Sequence, residues 1–134
     1  MARRLARTAA LQMVYENMLG GDGGEETLNG LIEMTPDEED KAYIDQTLKG
    51  IEEHHEALDE TIAKYLKDWS LERISRVNHA ALRLAVYERT YCNDVPRNVV
   101  ISEAVALSQK FDSPEGGKFV NGVLSSVLRD MEKA

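Results

Sequence analysis

The chain has 134 residues, of which 43% are hydrophobic and 30% charged, and its formal net charge is -8. That length fits one domain with a real core, and the lone cysteine, Cys92, excludes an internal disulfide and suits a reducing cytoplasm. No run of about 18 apolar residues is present to span a membrane, and Gln12, Glu16 and Asn17 interrupt the segment after the basic start, which argues against a signal peptide.

The charge is unevenly placed. Residues 1–21 hold three Arg and one Glu, residues 22–60 hold fourteen acids and two Lys, and residues 61–134 hold eleven bases and nine acids. An acidic middle between mildly basic ends leaves room for an anionic partner, provided that the bases cluster in space.

Taken in chain order, the periodicity predicts a first helix over 3–19, carried by Leu5, Ala9, Val14, Tyr15 and Leu19. Arg3 and Arg7 share one face of it, and cations there oppose the helix dipole. Gly20-Gly-Asp-Gly-Gly24 breaks it. Thr35-Pro36-Asp37-Glu38 reads as a helix start, with Thr35 as the cap and Pro36 at the first position. That helix is expected to end at Ile51, and a separate one to run from about 54 to 67. Trp69-Ser70 breaks the pattern, with Ser70 as a cap for a helix over 71–91. This last helix is apolar nearly all round, interrupted by Arg83, and is expected at the centre of the fold. A turn at Asn93-Asp94-Val95-Pro96 leads to a helix that begins between Pro96 and Ser102. Asp112-Ser-Pro-Glu-Gly-Gly117 is read as a second breaker, before a final helix over Lys118–Met131. Six or seven helices and no convincing strand make the fold class all-α.

No P-loop, dinucleotide fingerprint, zinc-protease motif or paired-cysteine motif occurs, so no cofactor and no metal is expected. Adjacent His54 and His55 point to different sides of a helix, and Cys92 reads as a small packed residue rather than a nucleophile. Three features stand out instead: the arginines at 3, 4 and 7, the lone Arg83, and Lys118, Asn121 and Gly122 on one face of the last helix. Gly122 costs about 1 kcal/mol inside a helix relative to Ala, which either close helix packing or a close partner would explain. Arg, Lys, Asn and an aromatic are the types that hold phosphates and stack single-stranded bases. Arg83 reads equally as half of a salt bridge.

The string VNHAALRLAVYERTYCNDVPRNVVISEAVALSQKF, followed by KFVNGVLSSVL, resembles the C-terminal half of the NusB family of bacterial transcription antitermination factors, and the arginine-rich start before AALQMVY resembles its N-terminus. The resemblance covers the whole chain, with a divergent middle at about 20–60. It implies one RNA-binding domain over 1–134, built as two small perpendicular helical bundles with halves at about 1–67 and 70–134. It implies a non-enzymatic protein that pairs with NusE, a small-subunit ribosomal protein. The pair would bind single-stranded boxA RNA of ribosomal RNA leaders in the cytoplasm and act on the RNA polymerase elongation complex with other Nus factors. Either a monomer or a homodimer is compatible with it in the free state. The RNA-contacting positions it implies are Arg3, Arg4, Arg7, Tyr65, Arg83, Glu115, Lys118, Phe119 and Asn121. The NusE-facing positions are Tyr15 and Asn78. The early arginines are expected at the surface, near Arg83 and Lys118.

This chain departs from the pattern at Asn78, where the family commonly has an acid, and at Thr8, where it often has Glu. Its DSPEGG loop is also more glycine-rich. Rival readings are the RNA-binding part of a ribosomal RNA cytosine methyltransferase, a pure protein adaptor, and a metal-dependent helical enzyme using His54 and nearby acids. The methyltransferase would need a cofactor domain that 134 residues do not accommodate.

Overall fold

The computed structural model describes residues 3–18, 38–66, 70–92 and 95–133. The glycine-rich break, the Thr35-Pro36 start, Trp69 and Asn93-Asp94 lie outside the described residues, as do the side chains of Arg3 and Arg4.

Five helices are described: α1 (Arg3–Met18), α2 (Glu38–Ala63), α3 (Arg76–Tyr91), α4 (Arg97–Phe111) and α5 (Pro114–Lys133). No strand occurs among the described residues. Each helix buries the stripe that its sequence periodicity marks. Ala6, Ala9, Ala10, Leu11, Met13 and Val14 do so on α1, and Val120, Val123, Leu124, Val127 and Leu128 on α5. Leu11, Ile44, Ile62, Leu82, Leu124 and Leu128 are among the largest fully buried side chains, and such burial stabilises by about 1.5–3 kcal/mol each. The apolar α3 is central as expected: it packs against all four of the other helices.

Three element boundaries differ from the sequence expectation. First, α2 is one continuous helix of 26 residues, without a break between Ile51 and His54. Gly50 does not end it, because its missing side chain makes room for the Tyr87 ring of α3: a Cβ there would fall on the ring. Second, α3 begins at Arg76 and is capped by Ser75, whose hydroxyl accepts from the Asn78 amide at 3.1 Å. Ser70 instead opens a turn, its carbonyl accepting from the Arg73 and Ile74 amides. Third, α5 begins at Pro114, four residues earlier than expected. The Ser113 hydroxyl accepts from the Gly116 amide at 2.9 Å, and Pro114 fills the first helical position, where its missing N–H costs nothing. Serine followed by proline is a start signal, and it overrides the two glycines behind it. Glu115 accordingly sits in the first helical turn, where its charge complements the dipole.

Candidate nucleic-acid interface

The apolar stripe of α5 faces the core, which fixes its opposite face outward. Lys118, Asn121, Gly122, Ser125 and Arg129 are all exposed. Their three- and four-residue spacing lays them in one row along the helix. The Ser125 hydroxyl donates to the Asn121 side-chain carbonyl at 3.3 Å. Phe119, next to Lys118, is half-buried and packs against the core. Among the described residues nothing lies within 4 Å of a Cβ built on Gly122, so close packing against them does not explain this glycine.

The far end of the row reaches Tyr65, just past the end of α2. The Tyr65 hydroxyl donates to Asp130 at 2.7 Å, and Arg129 Nε donates to the other Asp130 oxygen at 3.2 Å. The bond to Asp130, assisted by burial, pushes the Tyr65 phenol above its usual range and keeps it a proton donor. That bond sets Tyr65 against the C-terminal part of α5, while Lys118 and Asn121 lie nearer its start. Ser125 and Arg129 complete the row, with Asp130 beside its end, and the sequence reading missed them. Their signal was available: 118, 122, 125 and 129 continue one heptad-like spacing.

Near its start, α5 meets α3 and α4 at a cleft of about 290 Å³ lined in part by Asn78, Asp112, Glu115, Gly116 and Phe119. Asn78 is 6% exposed. Its side-chain carbonyl accepts from Ser108, and its amide donates to Asp112 at 3.4 Å. The position expected to face a protein partner is thus turned inward, where it ties α3 to α4 beneath Glu115 and Phe119. Tyr15 is half-buried against the core.

Arg7 is placed differently from the expectation. It is 6% exposed. Its Nη2 donates to Glu88 at 2.7 Å, its Nε bonds both Glu88 oxygens, and its Nη1 donates to Glu103 at 3.2 Å. Burial alone would lower the pKa of the guanidinium, but the bonds and charge of Glu88 outweigh that and raise it. Arg7 therefore belongs to the core and links α1 to α3 and α4. The reason is that α1 presents it on the buried face, one position after Ala6 and two before Ala9.

Arg83 resolves into the salt bridge that its sequence context allowed. Its Nη2 and Nε donate to the two Asp59 oxygens at 2.6 and 2.8 Å, and His79 Nε2 lies 2.8 Å from the same carboxylate. Burial would raise the Asp59 pKa, but the bonds from Arg83 and His79 hold it well below the usual carboxylate range. An ionised carboxylate only accepts, so His79 Nε2 carries the proton of that bond. Arg83 also lines a cleft of about 480 Å³ with Asn17, Met18, Ile51 and His55.

Arg7 in the first half of α1 meets Glu88 near the end of α3, while Asn17 and Met18 at the end of α1 line that cleft with Arg83. The Arg3–Arg4 turn therefore lies toward the C-terminal end of α3, and the start of α5 lies at its N-terminal end beside Asn78. The ten residues from Asn78 to Glu88 span roughly 15 Å. Arg7, buried against Glu88 and Glu103, does not stand at the surface with Lys118. Among the described residues, no group of three or more His, Cys, Asp or Glu is placed to hold a metal ion, and no helix is long and apolar enough to cross a membrane.

Fold and site define a small all-α protein with an extended, exposed polar ridge along its last described helix. Comparison with known proteins makes this specific. The NusB family profile matches residues 4–129, and the chain belongs to that family. It is 42% identical over 135 residues to the transcription antitermination protein NusB of Bacillus subtilis, covering 100% of both chains. Among solved structures it is similar to NusB of T. maritima, with a TM-score of 0.85 and 32% identity over 97% of this chain and 92% of that one. It is similar also to a structure of the antitermination factors NusB and NusE in complex with double-stranded RNA, with a TM-score of 0.81 and 29% identity over 96% of each chain.

Proposed function

We propose that this chain is a transcription antitermination factor which, together with NusE, binds single-stranded boxA RNA in ribosomal RNA leader transcripts. It acts by binding, without catalysing a reaction, and supports processive transcription in the cytoplasm within the RNA polymerase elongation complex and its other Nus factors. Residues 1–134 serve as one RNA-binding domain, whose half 70–134 packs against the half 1–67 through α3.

The observation that carries this reading is the full-length likeness to the NusB component of a NusB–NusE–RNA structure. The exposed row on α5 supports it. Lys118 supplies a phosphate contact, Asn121 and Glu115 supply groups for base edges, and Phe119 and Tyr65 supply aromatic faces. Arg3 and Arg4 add charge from the start of α1. Arg7 and Arg83 act through their carboxylate partners, holding α1 and α3 in place under the RNA. Tyr15 and Asn78 serve the NusE side, Asn78 by shaping the cleft rather than by direct exposure.

The test is fluorescence anisotropy of labelled boxA RNA against a scrambled control, with and without NusE, over a salt series. The expected result is preference for boxA, tightened by NusE and weakened by salt, with Lys118→Ala weakening binding to both RNAs. Equal, weak binding to both RNAs, indifferent to NusE, overturns the reading in favour of a protein adaptor.

A further inference from the structure

We propose that the RNA path continues along α5 beyond Asn121, over Gly122 and Ser125, to a phosphate contact at Arg129 beside Tyr65. This rests on the RNA-binding reading above and extends it to residues to which no role has been given.

Three observations carry it. The first is the character of the row. Lys118 and Arg129 bound it, and every exposed residue between them (Asn121, Gly122 and Ser125) is uncharged. In a chain of net charge -8, an acid-free strip between two cations complements a polyanion. The eleven residues from Lys118 to Arg129 span roughly 16 Å of helix, which is room for several nucleotides.

The second is Gly122. Glycine is among the costliest residues in a helix interior, and here packing among the described residues gains nothing from it, since a Cβ would meet none of them within 4 Å. A glycine that neither packs nor turns is explained by what approaches from outside. Its bare backbone lets a sugar-phosphate chain come closer than any side chain would permit.

The third is the anchoring of Arg129. It is 56% exposed on its side chain, and one donor is engaged at 3.2 Å by Asp130, which Tyr65 also holds. A guanidinium has five donors, so this contact orients the fork and leaves capacity for a phosphate.

The experiment uses the full chain and boxA and scrambled RNAs, with wild type, Gly122→Ala, Arg129→Ala and Arg129→Lys compared by anisotropy over a salt series and by thermal melting. Gly122→Ala is expected to melt higher than wild type yet bind RNA several-fold more weakly. Arg129→Ala is expected to melt as wild type, to lose affinity for both RNAs by a similar factor, and to lower the salt slope by roughly 0.7, which Arg129→Lys restores. If either alanine variant binds RNA as wild type does, the path is overturned. It is overturned equally if Gly122→Ala spares RNA and weakens NusE binding, which would make the row a protein surface. Failure of wild type itself to prefer boxA sinks the antitermination reading along with the path, and so is told apart from a failure confined to the variants.

Discussion

Arg7 sits 6% exposed between two carboxylates. Removing it leaves Glu88, itself 3% exposed, as a buried charge without its cation, a change that typically costs about 3–5 kcal/mol. Arg7→Ala is therefore expected to shift the denaturant midpoint sharply downward, and Arg7→Lys to recover part of the loss, since lysine keeps the charge but not the fork. An unchanged midpoint for Arg7→Ala would refute the structural role. Asp59 gives a pH-dependent counterpart. Its folded pKa is depressed by Arg83 and His79, so the stability it adds is present above its unfolded value near 4 and is lost as pH falls through the folded value. The stability gap between wild type and Asp59→Asn should be widest above about pH 4 and close toward stronger acid, as urea titrations across that range would record. In the sequence, Arg3, Arg4 and Arg7 look alike. What fixes Arg7 is its pairing with Glu88 and Glu103, 81 and 96 residues away, and no local pattern encodes a pairing at that distance.

Two mid-helix glycines show how an element's context decides a residue's meaning. At Gly50 of α2, a Cβ would collide with the buried Tyr87 ring, which itself packs against Tyr91 at 5.3 Å. Gly50→Ala is expected to force α2 and α3 apart and cost about 1–3 kcal/mol. Thermal melting checks this, and a Tm at or above that of wild type would show that the ring moves aside freely. The same substitution at Gly122 should stabilise. Helix ends divide in the same way. Ser75→Ala should cost about 1 kcal/mol by freeing the Asn78 amide. The stripes of α1, α3 and α5 were legible because burial on one face imposes a 3.6-residue rhythm. The apolar pattern suggests a break after Ile51 where α2 in fact continues, and Asp112–Gly117 reads as a breaker where α5 has already begun. At Gly50 a neighbouring ring needed the space, and at Gly116 and Gly117 the Ser113-Pro114 start had already set the helix. The lower half of the ridge was legible as Lys118, Asn121 and Gly122. The upper half was not, because nothing local shows that Arg129 ends beside Tyr65.

At the scale of the molecule, α3 is the hub. It contacts every other described helix, and its Ala80, Ala81, Leu82, Leu84, Ala85 and Val86 are all buried. Amide hydrogen exchange should accordingly be slowest in Ala81–Tyr87 and should report global unfolding there; slower exchange in α1 or α5 would move the hub elsewhere.

The shared wall of α3 has a topological consequence. Covalent continuity between Leu66 and Ser70 is not all that keeps the halves together, because α1 and α2 also pack against α3, to which α2 is bonded by Tyr87 and the Gln46 carbonyl. A backbone nick in that link is expected to leave two fragments associated through this packing, which gel filtration of the nicked protein would check. Expressed as separate chains, they would complement one another, making this small protein a natural candidate for a split reporter whose reassembly is driven by its own core.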